Sequence, residues 1–162
     1  MSLFADSRYQ WRETYFVLFE KQNRPLAADV RQALAEMGPR IELLHLAASK
    51  EGVLESMTVL SHADAAGMDV TFVAGDEVKE QLAEIKEEWQ TRKLDPREKQ
   101  RLARLMTADA RYDVFHFEEV NDFPADDDDG PLDPGTLLLV LTRLAQLCHG
   151  QSLDPQSGEL LA

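Results

Sequence analysis

The segment 14–20 limits the folds open to this chain more than any other part of the sequence. It runs Thr-Tyr-Phe-Val-Leu-Phe-Glu, with aromatic and β-branched residues and little alternation between apolar and polar positions. Such a run is typical of a strand buried on both faces, because an exposed face would need polar side chains at every second position. The sequence therefore predicts a central strand in a sheet that is covered on each side.

Other elements follow at short intervals. Apolar residues at helical spacing predict a helix over 26–37, a helical pair over 76–107 and a very apolar helix over 134–149. Strand patterns and turn residues predict strands over 41–46, 53–60, 68–73 and 112–117 and a small hairpin from 153 onward.

The first part of this order matches the split β-α-β pattern, β-α-β-β-α-β, of ferredoxin-like folds. The expected fold class is therefore α+β, with a mostly antiparallel sheet, helices packed on one face, and an extra helix and hairpin at the end. Because the central strand needs cover on both sides, we expect helix 134–149, or else a second subunit, to cover the other face.

The length of 162 residues indicates a single domain. Its expected layout is an N-terminal lead over 1–12, an α/β core over 13–119, an acidic loop over 120–133 and a C-terminal helix and hairpin over 134–162. The first three residues, Met-Ser-Leu, could come from cloning and play no part in the fold prediction.

The charge balance excludes several classes of partner. The chain has 17 Lys and Arg against 30 Asp and Glu, a net charge of −13. This argues against nucleic-acid binding through a broad basic face and against a polybasic membrane surface. There is no long apolar run or signal peptide, and the one cysteine cannot form an internal disulfide. The expected location is therefore the cytoplasm, with no nucleic-acid or membrane partner.

Much of the acid excess lies in one place. The segment 118–133 contains eight acidic residues and no basic one. It is either a solvated connection, a cation site or a docking surface for a basic protein. Its contiguous aspartates lack the alternating pattern of a calcium loop, so no metal site is assigned. The predicted partner-binding residues are Glu118, Glu119, Asp122, Asp126, Asp127, Asp128, Asp129 and Asp133.

Catalytic candidates are few and dispersed. His62 and Asp64 share a predicted loop and could form an acid–base pair, but they are too few for a metal site. His45 and His116 lie in predicted strands, where alternation places His45 on one face with Ile41 and Leu43. A structural role is the alternative for all four residues. No cofactor motif is present in the sequence.

These observations favour a non-catalytic binding or protein-interaction module whose acidic segment docks on a basic protein surface. One alternative is an enzyme whose site is assembled from the dispersed histidines and Asp64. Another is a small-ligand sensor with a pocket at a dimer interface. The sequence leaves both monomer and homodimer open.

Overall fold

A computed structural model describes residues 3–62, 64–120 and 135–161. The strands are β1 (Tyr9–Phe19), β2 (Ile41–Ala48), β3 (Leu54–Ser61), β4 (Ala66–Ala74), β5 (Ala110–Glu119), β6 (Gln151–Asp154) and β7 (Glu159–Leu160). The helices are α1 (Ala27–Glu36), α2 (Asp76–Gln90), α3 (Pro96–Leu105) and α4 (Gly135–Leu147). A single 3-10 turn, Leu3–Ala5, precedes β1.

Within the described ranges, the strands form one seven-stranded open sheet in the order β2-β3-β4-β5-β1-β6-β7. Every neighbouring pair is antiparallel. The α+β class and the antiparallel sheet are thus confirmed, and so is the interior position of β1, which pairs with β5 and β6. The strand order does not confirm a ferredoxin-like topology. Strands β1 and β2 run in the same direction, but three strands lie between them, whereas one strand lies between the parallel strands of a split βαβ unit.

Helices α1 and α4 pack together on one face of the sheet. Val17 and Phe19 of β1 and Tyr112 of β5 lie in the core under them, with Val30 of α1 and Leu141 of α4. Each of these five side chains is at most 2% exposed. Burying an apolar side chain this fully contributes roughly 1.5–3 kcal/mol, so this layer is the main source of stability on its side.

Helices α2 and α3 cover part of the opposite face. The stripe Val78, Leu82, Ile85 and Trp89 recurs at helical spacing along α2 and packs against Leu18, the β1 residue that points away from Val17. The expectation that helices occupy one face, with the last helix alone on the other, is therefore wrong. The helical pair connects β4 to β5, which are already neighbours, so it is free to fold back over the second face.

Helix α3 begins at a capping signal in the local sequence, Asp95-Pro96. The side chain of Asp95 accepts a 2.7 Å hydrogen bond from the main-chain N–H of Glu98, and Pro96 occupies the first helical turn. Asp at the N-cap accepts a hydrogen bond from a main-chain N–H that has no partner within the helix. Pro at the first helical position has no main-chain N–H that would need a partner. This local signal fixes the start of the helix and therefore the phase at which its side chains meet the sheet.

Candidate functional site

A groove of about 720 Å³ lies between α3, the end of β1 and the start of β6. This volume is in the range of pockets that bind small molecules or peptide segments. The residues that line it are Leu18, Phe19, Glu20, Asn23, Arg97, Gln100, Arg101, Arg104, Leu105, Thr107, Ala108, His149, Gly150 and Gln151. Three arginines in this set give the groove a positive character.

The arginines share one face of α3. Arg97, Arg101 and Arg104 are separated by four and three residues, the spacing at which helical side chains lie above one another. The buried Leu105 anchors the next position of the helix to the sheet, in the core beneath α2 and α3. The groove wall is therefore a row of guanidinium groups held on a packed helix.

Among the residues that the structure describes, these three arginines have no acidic partner, in contrast to most of the other arginines. Within the described ranges, no carboxylate lies within 4.0 Å of Arg97, Arg101 or Arg104. Carboxylates do pair with Arg8, Arg12, Arg24, Arg92, Arg111 and Arg143. In a chain with more acidic than basic residues, most arginines can find a carboxylate partner. The guanidinium groups of these three keep their charge and most of their hydrogen-bond donors available to bind an external anion.

Main-chain carbonyl groups hold two of the three guanidinium groups in place. Arg101 donates a 3.0 Å hydrogen bond to the carbonyl oxygen of Leu161, and Arg104 lies 3.5 Å from that of His149. A guanidinium has five N–H donors, so most donors remain available after one such contact. Glu20 is the one acidic residue among the described lining residues.

His149 lines the groove in a backbone conformation that usually belongs to glycine. Its φ is +52°, and α4 ends there in a Schellman motif. The N–H of Gly150 donates to the carbonyl of Ala145 at 2.8 Å, and that of His149 to Gln146 at 3.4 Å. A side chain in the left-handed region costs about 1–2 kcal/mol, and such strain is concentrated at functional sites. The exposed His149 thus lines the groove in a conformation that costs stability.

Gly150 forms part of the groove floor through close backbone packing. A Cβ atom at this position would lie 2.6 Å from the carbonyl oxygen of Leu18 and 2.9 Å from Cβ of Phe19. The neighbouring Cys148 is completely buried, and burial raises the pKa of its thiol to about 12. Cys148 therefore packs as a small apolar group beneath the groove.

The sequence-predicted candidate His45 lies on the edge strand β2 and is exposed. The pairing of β2 with β3 shifts register between Leu43, opposite Val59, and Leu46, opposite Met57. This bulge makes Leu46 share a face with Leu43, so the expected placement of His45 on that face is wrong.

His62 and Asp64 are near each other in sequence but have separate partners. Nε2 of His62 lies 2.5 Å from a carboxylate oxygen of Glu42 at the surface. Asp64 accepts hydrogen bonds from the hydroxyl groups of Ser61, at 2.9 Å, and Thr136. Asp64 thus ties the turn between β3 and β4 to the first turn of α4.

His116 is buried in β5, 5% exposed, with Nδ1 3.4 Å from a carboxylate oxygen of Glu13. Burial lowers the pKa of the imidazole, and Glu13 offsets this only in part. Among the described residues, no hydrogen bond or ion pair joins any two of His45, His62, Asp64 and His116.

The predicted docking segment is described only at its start. Glu118 pairs with Arg12 at 2.9 Å, and the main-chain N–H of Glu119 donates to the carbonyl of Ala65 at 2.7 Å. The remaining residues of that prediction lie outside the described residues: Asp122, Asp126, Asp127, Asp128, Asp129 and Asp133.

Sequence reasoning missed the arginine row, although the signal was present. The segment 76–104 has equal numbers of acidic and basic residues, so the helical pair counts as neutral. That sum mixes all faces of both helices. Counting charge by helical face instead would have isolated Arg97, Arg101 and Arg104. It would not have found the other wall, which comes from the distant β1 and β6.

Two further observations concern the described residues. No group of three or more histidine, cysteine or acidic side chains is arranged there to hold a metal ion. None of their helices is long and apolar enough to cross a membrane. Comparison with protein families, curated proteins and solved structures finds no match to this chain.

Proposed function

We propose that the protein is a non-catalytic binding module that holds an anionic ligand in the groove beside α3. The observation that supports this proposal is the row of Arg97, Arg101 and Arg104, which have no carboxylate partner among the described residues. Arginine is well suited to this role because its planar guanidinium donates two parallel hydrogen bonds to a carboxylate or phosphate group.

The electrostatics of the groove support the same conclusion. Three like charges on one helix face repel one another, so their proximity is unfavourable until an anion neutralises them. Elsewhere in the chain, arginines are mostly matched by the abundant acids. An anion in the groove would add charge-assisted hydrogen bonds, each contributing about 1.5–3 kcal/mol, while surface screening lowers the value for exposed groups.

Titration calorimetry with sodium citrate and sodium triphosphate as small probes tests this proposal. We expect weak binding that decreases as salt is added, because exposed charges are screened. The double variant Arg101→Gln with Arg104→Gln should lose this binding. Lys99→Gln is the matched control, since it removes one charge from the same helix at a position outside the groove. If no anionic probe binds, or if the double variant and the control bind equally, the proposal is wrong.

The acidic segment 118–133 remains a second proposed contact surface, for a basic protein. Its test is replacement of Asp126, Asp127, Asp128 and Asp129 by serine, which should leave folding intact and abolish a salt-sensitive interaction.

A cytoplasmic location also remains a proposal. The enzyme and dimer-sensor alternatives stay predictions, and light scattering distinguishes a monomer from the dimer that the sensor requires.

A further inference from the structure

We infer that the anionic ligand of the groove is an extended acidic peptide segment of a partner protein. This inference rests on the proposed function, since it names the ligand class for the same site. The arrangement of the arginines, the uncharged residues that line the groove with them and the position of Glu20 each contribute to it.

The length of the arginine row suits a linear ligand. From Arg97 to Arg104 the helix rises roughly 10 Å, at about 1.5 Å per residue. A linear ligand can place a separate anionic group beside each guanidinium along that length. In an extended peptide, side chains at every second position point the same way and lie about 6.8 Å apart. That distance is close to the rise of about 6 Å between Arg97 and Arg101.

The other lining residues suit a peptide main chain. Asn23 and Gln100 present amide side chains that make no side-chain hydrogen bond with the described residues. An amide side chain both donates and accepts, which matches the alternating N–H and C=O groups of an extended backbone. A phosphodiester offers only acceptors to these groups. Leu105 and Ala108 add apolar surface below them.

Glu20 and the overall charge disfavour a polyanion of high charge density. Glu20 lines the groove, and the chain has a net charge of −13. A triphosphate or nucleic-acid backbone would bring closely spaced negative charges next to this carboxylate. A peptide with an acidic residue at every second position has fewer charges, and one of its main-chain N–H groups can donate to Glu20.

Fluorescence anisotropy with labelled peptides tests the inference on the full chain. The probe is a short peptide library with glutamate at every second position and mixed residues between. A matched library has glutamine at those positions.

We expect saturable binding of the glutamate library only. The variant Arg97→Gln should reduce the affinity about tenfold, because it removes one charge-assisted hydrogen bond. Arg97 is exposed and makes no side-chain hydrogen bond or ion pair with the described residues, so this variant should fold normally. Lys99→Gln should change the affinity by less than about twofold, since it leaves the groove intact.

Competition by sodium triphosphate and by single-stranded RNA separates the outcomes. Displacement of the glutamate library by excess unlabelled peptide, with weak displacement by either competitor, supports the inference. If triphosphate or RNA binds in an Arg97-dependent manner and the glutamate library does not, the peptide inference is overturned while the anion-binding proposal stands. If no probe binds, both fail. Equal binding of the glutamate and glutamine libraries also overturns the inference.

Discussion

The carbonyl oxygen of Leu18 lies so close to Gly150 that a Cβ atom there would be 2.6 Å from it. The contact brings Gly150, three residues after the end of α4, directly onto the end of β1. Because both partners are backbone, neither can move away without shifting an element of the core. This relationship fixes the floor of the arginine-lined groove.

The variant Gly150→Ala should therefore lower the free energy of unfolding by about 2 kcal/mol, the typical cost of forcing extra atoms into a packed site. Urea unfolding monitored by circular dichroism measures this change. Gly67→Ala is the comparison, since the nearest atoms there are the side-chain ends of Leu3 and Leu60, which can shift. An equal or smaller loss for Gly150→Ala would contradict the backbone explanation.

The neighbouring residue should respond in the opposite direction. His149→Gly removes a side chain from the left-handed region and should raise the free energy of unfolding by about 1 kcal/mol. The same variant should weaken binding of the acidic peptide library, because the groove loses the side chain of a lining residue. Urea midpoints and fluorescence anisotropy measure the two effects.

Ala65→Gly provides the matched control for His149→Gly. Among the described residues, Ala65 is the other non-glycine residue with a positive φ, which is 50°. It lies outside the groove. It should gain similar stability with unchanged peptide affinity. If His149→Gly leaves binding intact, the strain at His149 serves no role in the groove.

A buried carboxylate anchors the N-terminal turn. Asp69, 6% exposed, accepts hydrogen bonds from the main-chain N–H of Leu3 at 2.8 Å and from the hydroxyl of Thr58 at 2.7 Å. Asp69→Ala leaves both donors without this acceptor, so we expect a loss of about 3 kcal/mol in the free energy of unfolding. Chemical denaturation measures it.

Two variants calibrate that result. Asp69→Asn retains an oxygen acceptor and should lose less stability than Asp69→Ala. Glu84→Ala, an exposed substitution on α2, should stay within about 0.5 kcal/mol of the unchanged protein. A loss at Asp69 no larger than at Glu84 would show that the turn is not anchored by this carboxylate.

Burial of His116 makes stability depend on pH. The folded-state pKa lies below the ordinary value, so the unfolded chain takes up a proton first as the solution is acidified. The contribution of His116 to the free energy of unfolding is fully present above about pH 6.5, the ordinary imidazole pKa. It declines as the pH falls toward the pKa of the folded state. His116→Gln should therefore reduce the loss in the free energy of unfolding between about pH 7 and pH 5, the range around and below the ordinary imidazole pKa.

Parallel urea titrations of the two proteins across that range check this prediction. Carboxylates titrate in both proteins, so the difference between the two curves reports His116. Glu13, 3.4 Å from Nδ1, favours the protonated form, and Glu13→Gln should therefore steepen the decline. Identical slopes for the unchanged protein and His116→Gln would refute a neutral buried imidazole.

Local sequence determined most of the elements. The Asp95-Pro96 signal fixes the start of α3 through a cap within one turn of the chain. The apolar stripe of α2 follows from helical spacing alone. The interior position of β1 follows from its lack of alternation, since both of its faces needed cover. Each of these depends on neighbours in sequence, which is why pattern reasoning succeeded.

Tertiary structure decided which faces the helices cover and where the groove lies. The order of seven antiparallel strands depends on pairings between distant segments, and sequence periodicity does not specify partners. The bulge in β2 reversed the face of His45 for the same reason. Arg97, Arg101 and Arg104 share a face by helical spacing, but only the packing of α3 beside β1 and β6 makes that face one wall of a groove. Close packing between remote segments, such as Gly150 against Leu18, supplies what local sequence cannot encode.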